Sequence, residues 1–505
     1  MPSSTVALRP PTEARAIPDG SARRIAFTAI ALLVLWRAVL AVFDRTELST
    51  DEAQYWFWGQ RLEFGAYSKP PLIGWIMRAA TELMGQCVWA VRLPAALLHG
   101  LTALVLYLAV RRFAGASVAA LAALFYLTTP AVALGSALMT TDTPMLLAAA
   151  VAMLAQLHLA EARAAGRPSP GPALVLGLAL GLGLLAKHAM LFWFAGAALA
   201  AAVSPAWRIR RGDALLALAV LAVVIAPHVL WLVRSDFVTL FHVGDITRGE
   251  GLSLARAGRF LLDQLLVMGP ILVIAMALAL MRRDRAGDRG RDRGRVGAGL
   301  AALALVPLGI VVGQALQGPV LANWAVLYLL PGTVLAAFWL AGRPWLARVS
   351  LLLGLAVSLA LPLVKVFGTG LVGPDGRPLL ARYLGHAATA GWALETARAA
   401  GAATLVATNR DLLADLSWFG AGDAPAIRAV PPEGRPAHHW EMMAPFDPGR
   451  DAGPVLLLVR EGWAQRCPDR AELSRLRPPP GFADRDLLVI YALPTPACLA
   501  PGAAR

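Results

Sequence analysis

Long apolar runs alternate with short polar breaks from residue 25 to residue 366. A bilayer-crossing helix needs roughly 20 apolar residues, fewer where it is short or partly buried in protein. The pattern predicts spans at about 25–43, 93–110, 116–134, 143–160, 173–187, 189–204, 214–233, 264–281, 297–316, 321–341 and 347–366. After 367 the pattern changes: Pro, Gly and charged residues become frequent and no run is long enough to span. There "ATLVAT" (403–408), "GPVLLLV" (453–459) and "DLLVIYAL" (486–493) read as strands, and 379–400 and 409–419 as helices. The expected product is an α-helical polytopic membrane protein with about 11 transmembrane helices over 23–366. A small α/β domain over 367–505 follows outside the bilayer. Residues 1–22, with Pro, Ser and Ala around scattered Arg, read as a disordered cytoplasmic N-terminus. The first apolar run is span-length and follows Arg23 and Arg24, so it reads as a retained anchor.

The polar breaks are of two kinds. "RRFAG" (111–115), "EARAAGRPSPG" (161–171), "RIRRGD" (208–213), "RRDRAGDRGRDRGR" (282–295) and "GRPWLAR" (342–348) hold most of the arginine. Placing them in the cytoplasm with the N-terminus follows the excess of Lys and Arg in inward-facing loops. The 282–295 run reads as a solvated linker. The chain must then go out and return between 171 and 208, so the turn falls near "LAKHAM" (185–190). The 44–92 loop, "SALMTTDTP" (136–144), the 234–262 segment, "QGPVLANW" (317–324) and everything after about 367 land on the same outer face. The expected setting is a bacterial inner membrane with these segments facing the periplasm. Composition agrees with a membrane protein: 58% of residues are hydrophobic and 15% charged. The net charge of +14 lies largely in the inward loops and does not call for nucleic acid.

One outer segment is unlike the rest. Residues 49–71 read "STDEAQYWFWGQRLEFGAYSKPP", too polar to cross a bilayer and unusually aromatic. Ser49 and Glu52 have the spacing of a capping box, and Asp51 falls in a first helical turn, where the helix dipole favours an acid. Tyr55, Trp58 and Leu62 share one helical face, which also suits a helix resting among lipid headgroups. A cap accounts for Glu52; a dipole explains a preference for Asp51 but no need for it.

Other outer residues carry two readings each. Lys69 and Lys187 are either interface anchors or point charges for an anionic headgroup. Asp142 is either part of a helix cap with Thr141 and Pro144 or a site residue. Arg234 ends a span, and His242 and Asp245 follow in "FVTLFHVGD". No set of His, Asp or Cys has metal-ligand spacing, and no cofactor is called for. Cys467 and Cys498 are either bonded, if their region faces an oxidising compartment, or two separate thiols.

In order along the chain, "TDEAQYWFWGQRLEFGAYSKPPLIGW", "VRLPAALLHGLTALVLYLAVRRFAG", "LMTTDTPMLL", "GLGLLAKHAM", "PHVLWLVRSDF" and "NWAVLYL" resemble the glycosyltransferase family 39 pattern. That family includes protein O-mannosyltransferases, the lipid A aminoarabinose transferase and bacterial galacturonosyltransferases. "ATNRDLLADLSWF" and "HHWEM" echo it more weakly beyond the spans. The resemblance implies a GT-C fold with a long first extracytoplasmic loop, here 44–92, and a polyprenyl-phosphate sugar donor. It implies catalysis by an acid early in that loop, matched here by Asp51 and Glu52. Many relatives have a histidine before the two prolines where this chain has Lys69.

Elementary chemistry points the same way. A polyprenyl donor is confined to the bilayer, so its transferase needs a polar site at the membrane surface. The acceptor hydroxyl, on a lipid A, another glycan or a protein of the envelope, needs a base as attack develops, and Asp51 fits that role. The departing phosphate gains negative charge, which Lys69, Lys187 and Arg234 can stabilise, with Asp142, His242 and Tyr55 as further substrate contacts. Attack opposite the phosphate inverts the anomeric centre. The competing readings are a polytopic lipid or glycolipid flippase and a non-catalytic assembly subunit. Transporters show repeated halves and midplane ions, whereas the halves here are dissimilar.

Overall fold

The computed structural model describes residues 18–249, 251–281, 288–422, 425–463 and 467–500. Two compact units emerge, and neither is a single stretch of chain. One comprises the residues up to Val42, Arg92–Trp231 and Gly244–Pro362; the other comprises Phe43–Val91, Leu232–Val243 and the residues from Leu363.

The first unit is helical. Among the described residues, seven helices are long and apolar enough to cross a membrane: Asp19–Val42, Val88–Ala114, Asp142–Ala164, Arg211–Arg234, Arg295–Gln317, Ala322–Leu340 and Pro344–Phe367. Shorter apolar helices at Ala116–Thr128, Pro170–Ala186 and Met190–Val203 occupy three more of the predicted runs. The helices differ in how far protein covers them. Arg211–Arg234 is largely uncovered by protein, whereas Asp142–Ala164 and Ala322–Leu340 are mostly buried. Exposed side chains on the former, such as Leu215 and Val223, are those a bilayer covers. Of the two interior helices, the first begins with the candidate Asp142 and the second carries Asn323 in its first turn.

Close helix contact has a sequence cause. A Cβ on Gly177 would lie 2.4 Å from the Ala217 carbonyl oxygen, so Pro170–Ala186 meets Arg211–Arg234 backbone to backbone. Arg37, buried in the first span, is compensated by Ser136 Oγ at 2.9 Å, the Leu127 carbonyl at 2.8 Å and Ser358 Oγ at 3.3 Å.

Three predicted elements take different forms. The 264–281 run is no single span: helices Leu254–Val267 and Pro270–Met281 meet at 112°. Gly269 adopts a φ of +97°, open to a residue without Cβ, and Pro270 starts the second helix where its missing N–H costs nothing. The 116–134 run stops at Thr128 because Thr129, extended, caps a new helix over Pro130–Gly135. The 234–262 segment, expected as loop, holds the Val238–Ile246 helix and most of Leu254–Val267. In the run read as a linker, residues 282–287 lie outside the described residues, and a helix runs from Asp288.

The second unit joins the 43–91 loop to the C-terminal region. Its sheet has five strands, β1 (Thr404–Ala407), β2 (Ala426–Ala429), β3 (Val455–Arg460), β4 (Ala471–Leu476) and β5 (Leu488–Leu493), in the order β2-β1-β3-β5-β4. The first three are parallel, and β5 pairs antiparallel with β3 and β4. Val406, Val455, Leu457, Val459 and Leu493 form a core with Phe446 and Leu499. Cys467 and Cys498 are disulfide-bonded beside it, resolving the alternative that sequence left open. Helices Arg410–Phe419 and His386–Ala399 match two predicted ones, the latter beginning seven residues later than expected after a 3-10 turn over Ala381–Tyr383.

Candidate active site

Asp51 and Glu52 begin the Thr50–Gly59 helix, and adjacency gives them opposite fates. Glu52 closes a complete capping box: its Oε2 accepts from the Ser49 N–H at 3.1 Å, and Ser49 Oγ accepts from the Glu52 N–H. Its residue is 2% exposed. Successive helical residues diverge by about 100°, so Asp51 faces outward, where two guanidiniums meet it. Arg382 donates to Oδ2 at 3.0 Å and Arg410 to Oδ1 at 2.9 Å. The Asp51 side chain remains 37% exposed, and an ionised carboxylate has about four lone-pair positions, so it can accept a further proton donor.

The rest of this loop is held by side chains from its own unit. A Cβ on Gly59 would meet the Gly74 carbonyl oxygen at 2.4 Å, so helices Thr50–Gly59 and Leu72–Met84 cross with nothing between them. Tyr55 is buried and packs on Trp58. Phe57 stacks on Trp440, and Trp56 meets Trp418 edge-on. Lys69 closes a turn in which the Ala66 N–H donates to its carbonyl at 3.0 Å. Thr239 Oγ1 donates to the Ala66 carbonyl at 2.9 Å, and the Tyr67 N–H donates to His439 Nδ1. Burial, then the charges of Arg61 and His438, push His439 down to about 3, so its Nδ1 stays an acceptor. His242 packs against Tyr67, and Arg234 ends its helix exposed. The turn bearing Lys69 is therefore built on Thr239 and His439, and the Tyr67 within it on His242.

A second polar centre lies in the other unit. Asp142 starts an interior helix, but Thr141 makes no side-chain cap there. The carboxylate instead receives Lys187 Nζ on Oδ1 at 2.6 Å and Asn323 Nδ2 on Oδ2 at 2.7 Å. Lys187 is the extended residue that stops Pro170–Ala186, which turns its side chain inward and not toward an interface. The pair is largely buried, with side chains 14% and 12% exposed. Beside it His99 joins Thr143 to Tyr126, at 3.3 Å and 2.9 Å. Among the described residues, no cluster of His, Cys, Asp or Glu could hold a metal ion.

The structure thus joins Asp142 with Lys187 and gives Asp51 two arginines; Asp51 and Asp142 belong to different units. Asn323, Arg382 and Arg410 were not singled out from the sequence. Asn323 and Arg410 lie inside quoted motifs, "NWAVLYL" and "ATNRDLLADLSWF", but only the fold shows what they touch.

Comparison with known proteins places these features in a family. The sequence model of the dolichyl-phosphate-mannose-protein mannosyltransferase family matches residues 68–231. Lipid A galacturonosyltransferase RgtD of Rhizobium johnstonii is 37% identical over 472 residues, covering 92% of this chain and 97% of that protein. The fold is similar to that of ArnT from Cupriavidus metallidurans, solved with undecaprenyl phosphate. That match has a TM-score of 0.64 and 16% identity, over 97% of this chain and 100% of that one. The mycobacterial arabinofuranosyltransferase AftD matches at a TM-score of 0.51 and 16% identity, over 92% of this chain and 41% of its own. A multi-span helical core, a polar first loop with an exposed acid, and an end-to-end relative of known class agree: the chain is a multi-pass membrane glycosyltransferase and belongs to the GT-C enzymes of glycosyltransferase family 39.

Proposed function

We propose that the enzyme transfers galacturonic acid from a polyprenyl phosphate to lipid A, at the periplasmic face of a bacterial inner membrane and with inversion. The observation that carries this reading is the 37% identity to a lipid A galacturonosyltransferase along nearly the whole of both chains. The ArnT fold, captured with undecaprenyl phosphate, supports the donor class.

In the reaction an acceptor hydroxyl oxygen attacks the anomeric carbon as the bond from that carbon to the phosphate oxygen breaks. The bonding pair leaves with the polyprenyl phosphate, and the hydroxyl proton passes to Asp51. Arg382 and Arg410 hold that carboxylate, while Glu52 serves it from behind as the helix cap. Lys69 and Arg234 offer positive charge to the leaving phosphate. Asp142 holds Lys187, which turns a mobile point charge into a fixed one, and Tyr55 and His242 shape the loop around the substrate.

The test is transfer by the purified enzyme in lipid vesicles, given polyprenyl-phosphate galacturonic acid and lipid A, with products read by mass spectrometry. A hexuronosyl increment on lipid A is expected. Failure with this donor, alongside transfer from a pentosyl or hexosyl polyprenyl phosphate, would reassign the sugar; no transfer from any of them would overturn the reading.

A further inference from the structure

Behind Asp51 lies a buried pair that the transfer chemistry does not itself use. His386, 1% exposed, sets Nδ1 at 2.9 Å from both oxygens of Asp415, which is 2% exposed. Its Nε2 lies 3.1 Å from the Arg382 carbonyl, and its ring stacks on Phe482 at 4.0 Å. Both nitrogens therefore face acceptors. An imidazole has one N–H when neutral and two when charged. The pair is satisfied only when it holds a second proton, either on Nδ1 or on the carboxylate. In both arrangements Nε2–H donates to the Arg382 carbonyl. Removing that proton leaves a lone pair against Asp415 or against the carbonyl, and a buried unsatisfied contact of this kind breaks one of the two links.

Position gives the pair its consequence. His386 opens the helix that follows Arg382, and Asp415 lies in the Arg410–Phe419 helix. Both arginines on Asp51 thus come from elements that this contact joins. The chain leading into Asp51 is tied to the same turn. Glu47 donates its N–H to the Tyr383 carbonyl at 2.9 Å, and its carboxylate accepts from the N–H groups of His386 at 2.6 Å and Ala387 at 3.1 Å.

We propose that His386 and Asp415 are a positioning pair that holds Arg382 and Arg410 on the Asp51 carboxylate, and that loss of their shared proton releases that hold. The inference rests on the reading of Asp51 as the base. The charged groups facing the pair are Glu47 from the loop and Asp411 from the helix of Asp415, while Arg382 of the 3-10 turn faces it only with its backbone carbonyl. Burial disfavours a charged His386, but the hydrogen bond and charge of Asp415 outweigh it and hold its pKa above the ordinary value. The sign follows: the support is complete below about pH 6.5 and fades as pH rises through the raised value.

The experiment is the pH profile of turnover by the full-length enzyme in lipid vesicles. Wild type is expected to lose turnover along an alkaline limb, because His386 is held above its ordinary value. Asp415→Asn keeps the contact without a titrating proton, because its amide N–H can donate to a neutral Nδ1 while Nε2–H stays on the Arg382 carbonyl. It is expected to retain turnover at pH 6.5 to within a few-fold and to lack the limb. His386→Gln, which removes the titrating ring, should also lack it, at lower turnover. A limb that is absent from wild type, or that persists unmoved in either variant, overturns the inference. A merely structural pair would lower the amount of enzyme without moving the profile. Asp51→Asn is assayed in parallel: activity there would sink the base assignment, whereas an inactive Asp51→Asn with an unmoved limb would sink only the pair.

Discussion

At the scale of residues, adjacent acids separate by function because a helix turns them apart. Asp51→Asn leaves shape and cap intact, so protein should accumulate normally while turnover falls about a hundredfold or more; normal turnover at matched expression would remove Asp51 from the chemistry. Glu52→Gln can still accept from the Ser49 N–H, and its effect should be small by the same assay. Asp142 and Lys187 behave differently, as a buried ion pair. Removing either partner strands the other, at a cost of about 3–5 kcal/mol. Lys187→Met and Asp142→Asn should each lower the unfolding temperature in detergent more than the double variant does. Additive losses would show that the two groups do not depend on each other. The cap was legible in sequence because Ser49 and Glu52 interact within one turn. The partners of Asp51 and Asp142 were not, because Arg382, Arg410 and Asn323 are brought in from 181 to 359 residues away.

At the scale of elements, glycine decides two geometries in opposite senses. Gly59→Ala forces a methyl into the Gly74 carbonyl at 2.4 Å, where only backbone can yield, and should cost about 1–3 kcal/mol and loosen the loop that carries Asp51. Gly391, inside the His386–Ala399 helix, has nothing within 4 Å of a Cβ. Gly391→Ala should instead stabilise by about 0.5–1 kcal/mol. Thermal unfolding of the two variants should shift in opposite directions, and a shared direction would refute the crossing argument. Apolar runs predicted the helices well because span length is a one-dimensional property. They did not reveal the bend at Gly269, where two apolar segments adjoin without a polar break. Strands β2 and β4 also escaped notice: "AIRA" is too short for a pattern, and the largely exposed "AELSRL" has no buried face to impose one.

At the scale of the whole molecule, linear reading divides the chain at about 367, whereas residues 43–91 and the residues from Leu363 fold as one unit. Segments far apart in sequence carry no mark of shared folding, so that union was invisible beforehand. The expected orientation remains testable by its arginine asymmetry. Reporter fusions after Arg295 and after Gly376 should report opposite sides of the membrane; the same side for both would overturn the threading. The disulfide between Cys467 and Cys498 closes a loop of 31 residues, and such a closure restricts the unfolded chain by about 3–4 kcal/mol. That stability is absent when the chain leaves the ribosome and arrives only after two electrons have been removed. The full stability of this unit is therefore reached only after synthesis, once an electron acceptor has oxidised the two thiols.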